Sequence, residues 1–139
     1  MPKFTPMRTP DGLDDFTRGY MEAAEWTDCG DDNEEMLDAD EFAPEFVARA
    51  KKDCADFVAA NAALLERYQE VTGRDMASAG TDFWLTRNGH GAGFWDRGND
   101  PCLTALTEAS KVYREVCLYV GDDGLIYALR QRASPSSAR

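Results

Sequence analysis

The spacing of apolar residues changes several times along the chain, and each change marks an element. Pro2, Pro6 and Pro10 predict an extended arm over residues 1–10. Leu13, Phe16, Tyr20, Ala23 and Ala24 then follow helical spacing, with Asp11 or Asp14 as the cap and an end near Trp26 or Thr27. Pro44 suits the first turn of a second helix, and Glu45 sits near the positive end of its dipole. Val47, Ala50, Cys54, Phe57, Val58, Leu64, Leu65 and Tyr68 make one face of a single long helix, which Gly73 stops.

Beyond Gly80 the pattern shortens. Phe83-Trp84-Leu85 and Phe94-Trp95 are brief aromatic runs on either side of a glycine-rich stretch, and they predict two strands of a β-hairpin. Asp100-Pro101 starts a helix whose apolar face is Leu103, Leu106, Ala109, Val112 and Tyr113. Val116–Val120 and Leu125–Leu129 read as strands joined by Gly121-Asp122-Asp123-Gly124, the clearest hairpin signal in the chain. The expected fold is α+β, one small domain over residues 11–130 in the order α-α-β-β-α-β-β. Its antiparallel sheet has about four strands and is covered by helices. Residues 131–139 read as a disordered tail.

Charge adds a second kind of organisation. The 139 residues carry a net charge of -11, but residues 11–45 hold 14 of the 26 acids and only one base, Arg18. Residues 46–139 balance at 12 acids and 12 bases. Asp31, Asp32, Glu34, Glu35, Asp38, Asp40 and Glu41 make the densest part of an acidic helix and loop region over 11–45. Such a surface repels phosphates, so direct binding to nucleic acid or an anionic membrane is not expected. A solvated loop that aids solubility and a surface for a basic partner both fit it.

Several chemistries drop out by counting. The single histidine, His90, excludes HExxH zinc sites and paired-histidine acid/base catalysis. Cys29, Cys54, Cys102 and Cys117 form no CxxC and are expected to be reduced, buried thiols. The acids of residues 28–41 miss the EF-hand register, and no metal or cofactor is expected. No run has the ~18 apolar residues of a membrane span. The start, MPKFTPMRTPDG, lacks a signal-peptide core, which predicts a cytoplasmic protein.

Residues 82–98 (DFWLTRNGHGAGFWDRG) concentrate unusual residue types. Here Trp84, Arg87, Asn88, His90, Trp95 and Arg97 are the candidate binding-loop residues. His90 is the one candidate acid or base, Arg87 or Arg97 an anion contact, and Trp84 or Trp95 a stacking surface. Asp82 and Asp96 lie within reach in sequence to pair with these arginines or orient the imidazole. The glycines lack both GxGxxG spacing and a P-loop lysine, and no nucleophile elbow is present.

This string, with a helix and then LYVGDDGLIY, resembles a group of small proteins of tailed bacteriophages and prophages, from about Phe16 to Tyr127. That group often has His before the aspartate where this chain has Thr81, so a role needing a paired histidine does not carry over. The resemblance implies an accessory protein of a bacterial host cytoplasm and no particular activity. The expectation is a non-catalytic binder of a host factor, an acidic, DNA-mimic-like inhibitor of a host defence or nucleic-acid-binding protein, with a basic or nucleic-acid-binding host protein as the partner. The alternative is a small-ligand-binding or enzymatic domain built on the His90 loop.

Overall fold

The computed structural model describes residues 12–28 and 41–128. In chain order they form helix α1 (Asp15–Asp28), strand β1 (Glu41–Phe42), helices α2 (Pro44–Ala60), α3 (Ala62–Thr72) and α4 (Met76–Arg87), a 3-10 turn (Phe94–Asp96), helix α5 (Pro101–Lys111), and strands β2 (Leu118–Val120) and β3 (Leu125–Ala128). The class is α+β and rich in helix. The arm, residues 29–40 of the acidic region and the tail lie outside the described residues.

Local chemistry sets most boundaries. Asp14 caps α1, its Oδ1 accepting from Thr17 N–H at 2.8 Å. Asp75 and Asp100 do the same for α4 and α5, accepting from Ser78 and Cys102 N–H. The expected long helix is two. At Asn61 the backbone leaves helical geometry, and both its main-chain and side-chain N–H groups turn back onto Phe57 O. Asn competes for backbone carbonyls in this way, so it interrupts the helix without disturbing the apolar face that both pieces share. Gly73 ends α3 with φ 75°, as its position in the pattern predicts.

Among the described residues the sheet has three strands in the order β1-β3-β2. β2 and β3 form the expected antiparallel hairpin, with Tyr119 opposite Tyr127. Gly121 O accepts from Gly124 N–H and Gly121 N–H donates to Leu125 O, while Gly124 sits at φ 83°. This is a type I turn closed by a glycine bulge. β1 joins β3 in parallel, Phe42 opposite Ile126.

The expected hairpin over residues 82–98 is not there. Phe83-Trp84-Leu85 is the middle of α4, and Phe94-Trp95 begins the 3-10 turn. The four-strand antiparallel sheet and the order α-α-β-β-α-β-β therefore do not hold. The cause is the position of α4. Asp82, Phe83, Trp84, Leu85, Thr86 and Arg87 are all buried, six in succession. A helix wrapped on every side loses the one-sided periodicity by which helices are recognised, and its short apolar run reads like a strand. Gly80 is the crossing point with α1, where a Cβ would lie 1.9 Å from Phe16 O. Gly19 mirrors it across the crossing, 1.9 Å from Ala77 O.

Around α4 the core is aromatic. Phe83 stacks on Phe57 at 4.1 Å between centroids, and Tyr20 meets Trp84 edge-on at 5.2 Å. Phe16, Tyr68 and Phe94 complete the layer, all buried. Each such ring contributes on the order of 2 kcal/mol through burial alone. This fixes α4 as the rigid base from which the segment 88–98 departs.

Candidate functional site

The distinctive segment begins at the C-terminus of α4, and its first residues are a helix cap. Gly89, at φ 70°, donates its N–H to Thr86 O, and His90 N–H donates to Leu85 O at 3.0 Å. Those two bonds make a Schellman motif. Asn88 supports it from both ends of its amide, donating Nδ2–H to Trp84 O and accepting from Val116 N–H at 2.6 Å. Asn-Gly thus meets a demand for left-handed backbone, but for a helix end and not for a hairpin.

Next the chain folds back along α4. At Gly93 a Cβ would fall 2.3 Å from Thr86 Oγ1, so only glycine permits the approach. Thr86 Oγ1 accepts from Phe94 N–H at 3.1 Å, and the Phe94 ring enters the core. Arg97 then clasps Asp82, with Nη2 2.7 Å from Oδ1 and Nε 3.1 and 3.2 Å from the two oxygens. Asp82 is 0% exposed, and its Oδ2 also accepts from Tyr68 OH at 2.6 Å, with Arg74 Nε 3.6 Å away. Burial raises the Tyr68 phenol far above its ordinary value, reinforced by the adjacent Asp82 charge. The hydrogen bond to Asp82 raises the Arg97 guanidinium.

Arg87 forms a second internal hub. Nη1 donates to Tyr20 OH at 2.9 Å and Asp53 Oδ2 at 3.0 Å; Nε and Nη2 donate to the carbonyls of Arg114 and Tyr113 at 2.8 and 2.6 Å. Its guanidinium also faces the Phe83 and Tyr113 rings. Holding those two carbonyls fixes the unusual backbone of Arg114, a non-glycine residue at φ 66°.

The six expected loop residues therefore divide. Trp84 is buried, its indole N–H donating to Thr27 Oγ1, and offers no stacking surface. Arg87 is buried and saturated, so it is no anion contact. Asn88 and Arg97 are partly buried and spent on the cap and the clasp. His90 is half-buried. Trp95 is 49% exposed and is the one large apolar side chain that the segment presents outward. Of the expected local pairings, Asp82–Arg97 forms, Arg87 pairs with Asp53 instead, and Asp96 is exposed. Tyr20, Asp53, Tyr68 and Arg74 were not foreseen as partners. Tyr20, Asp53 and Tyr68 come from other helices and Arg74 from the connection between α3 and α4, 8 to 67 residues away from the groups they hold, and no local pattern announces them.

Asp31, Asp32, Glu34, Glu35, Asp38 and Asp40 lie outside the described residues, as does the side chain of Glu41. Among the described residues no group of three or more His, Cys, Asp or Glu is arranged to hold a metal. No described helix is long and apolar enough to cross a membrane. Cys54 and Cys102 are buried, as expected; burial drives the Cys54 thiol far up and pushes Cys102 up to about 11. Cys117 is exposed, against expectation, because it precedes the edge strand β2 and does not lie within it. No protein-family model, curated protein or solved structure matches the chain.

Proposed function

We propose that this is a non-catalytic binding protein, a phage or prophage accessory protein that acts on a basic or nucleic-acid-binding protein of a bacterial host. One observation carries the choice of binding over catalysis. Asp82, Arg87, Asn88 and Arg97, four of the side chains of 82–98 that would do chemistry alongside His90, are engaged inside the fold. What remains is a rigid loop that presents Trp95, with a strongly acidic region elsewhere in the chain. Aromatic side chains held on a rigid base are favoured anchors in protein interfaces. The concentration of acids in residues 11–45 gives the partner its chemistry, a basic surface, with the acids standing in for nucleic-acid phosphates.

The test uses host lysate passed over the immobilised protein at low and high salt, with each retained protein identified and its affinity measured. A specific basic partner should be lost at high salt and lost again when Asp31, Asp32, Glu34 and Glu35 become Asn or Gln. It should be retained by His90→Ala. The reading fails if neutralising the acids leaves affinity unchanged. Loss confined to His90→Ala would point to the ligand-binding or enzymatic alternative.

A further inference from the structure

A different part of the molecule is incomplete in another way. Among the described residues β2 is an edge strand, since the sheet order is β1-β3-β2. The hairpin register fixes which of its groups face outward. Gly121 N–H donates to Leu125 O, so the bonded pairs along the ladder are Gly121 with Leu125 and Tyr119 with Tyr127. The N–H and C=O groups of Leu118 and Val120 therefore point away from β3, and no hydrogen bond to them is made by other described residues. Of the four large apolar side chains exposed among the described residues, one lies on this strand, Tyr119 at 40%. Tyr119 stacks on Tyr127 at 5.6 Å, so the exposed face near the edge is already an aromatic ladder.

We infer that the β2 edge is a self-association surface, where two copies pair Leu118–Val120 antiparallel about a twofold axis at Tyr119 and join their sheets into one of six strands. The edge is self-complementary in register: Leu118 of one copy meets Val120 of the other twice, making four main-chain hydrogen bonds. Tyr119 meets its own counterpart, extending the Tyr127–Tyr119 stack to four rings. The ends of the strand also match. Lys111 and Arg114 outweigh Glu115 before β2, Asp122 and Asp123 follow it, and all five are exposed. Antiparallel pairing brings each end against the opposite charge. The overall negative charge opposes association. With three residues a side the contact falls in the transient class, below about 1,200 Å². The dimer is thus reversible and concentration-dependent.

Sedimentation equilibrium over a wide concentration range tests this, on the intact chain and on Val120→Pro. Proline at 120 removes an outward N–H that β3 does not use, so the hairpin survives, as circular dichroism should verify. Wild type should move from monomer to dimer with concentration, and Val120→Pro should weaken dimerisation at least tenfold. Arg114→Asp should weaken it too, and adding Asp122→Lys should restore it. Tyr119→Cys in a Cys117→Ser background reports independently of folding effects at 120. Across the axis these Cα atoms lie about 4.5 Å apart, within disulfide reach, so oxidised glutathione should give a 119–119 cross-link identifiable by peptide mass. A chain that stays monomeric throughout, or a dimer that neither forms this cross-link nor responds to Val120→Pro, overturns the inference.

Discussion

Replacing Gly80 by alanine separates two opposed effects, and the structure decides between them. On helix propensity alone, Gly80→Ala inside α4 should stabilise by about 1 kcal/mol. Yet the new methyl would lie 1.9 Å from Phe16 O, 2.8 Å from Phe16 C and 3.0 Å from Tyr20 N, all backbone of α1. No rotamer change relieves a clash with main chain, so α1 and α4 must part by about 1.5 Å to reach ordinary contact. That parting stretches the bond from Thr81 Oγ1 to Gly19 O, now 3.0 Å, and loosens the packing of Tyr20 on Phe83 and Trp84. Overpacking of this kind costs 1–3 kcal/mol, and rigid backbone on both sides puts it at or above the top of that range. The net expectation is a loss of about 2 kcal/mol. Urea unfolding followed by tryptophan fluorescence should show a lower midpoint at an unchanged slope. The double variant with Gly19→Ala should cost less than the two singles together, because the first methyl has already opened the crossing. Gly73→Ala is the control. At φ 75° with open space around it, it should cost only the left-handed penalty of about 1 kcal/mol. A Gly80→Ala protein as stable as wild type, or more so, would refute the crossing and with it the central position of α4.

Other expectations follow from the same geometry. Arg87→Ala should destabilise by about 3–5 kcal/mol, because Asp53, Tyr20 and two carbonyls lose a buried cationic donor; Arg87→Lys should recover only part, since an ammonium cannot span that set. Urea midpoints measure both, and near-normal stability in Arg87→Ala would free the residue for a surface role. In pH titrations, Asp75, Asp100 and Asp123 sit below the ordinary carboxylate value, held mainly by hydrogen bonds from Ser78 N–H, Cys102 N–H and Tyr127 OH. Their stabilisation should be complete above about pH 4 and fade as pH falls through the lowered native values. At the alkaline end the native state holds protons more tightly on Cys54, Cys102, Tyr20 and Tyr68, chiefly through burial. Stability should therefore decline once pH passes the unfolded thiol and phenol values, about 8.5 and 10, and thermal melts across pH check both limbs. With a thiol reagent, Cys117→Ser should remove one rapidly labelled site from the native protein, whereas Cys54→Ser should remove none.

How far the sequence disclosed this molecule depended on how many sides of each element are covered. α1 and α2 bury a stripe, and their spacing places both ends of α1 and the start of α2 within a residue or two: Asp14 and Pro44 mark boundaries where the cap chemistry is local, as Gly73 does for the end of α3, whereas the break at Asn61 leaves the shared apolar face intact and so leaves no mark in the spacing. The β2–β3 hairpin is legible for the same reason, since its turn is written in adjacent residues. α4 is covered all round, so nothing in Phe83-Trp84-Leu85 distinguishes inside from outside. β1 is two residues long and pairs with a strand more than eighty residues later, an event with no local signature. The same division governs the distinctive segment. Its Asn-Gly, its close-packed glycine, its arginines and its aspartate looked like chemistry because they are the residue types that chemistry uses. They are also what a Schellman cap, a tight return along a buried helix and a clasp around a buried carboxylate require. A long, particular string is therefore no evidence of catalysis while its polar members have partners within the fold. The informative positions are those that this architecture leaves unexplained, above all Trp95, whose indole gains nothing from being half in solvent. Binding should be sought first where the fold has no use for what is there.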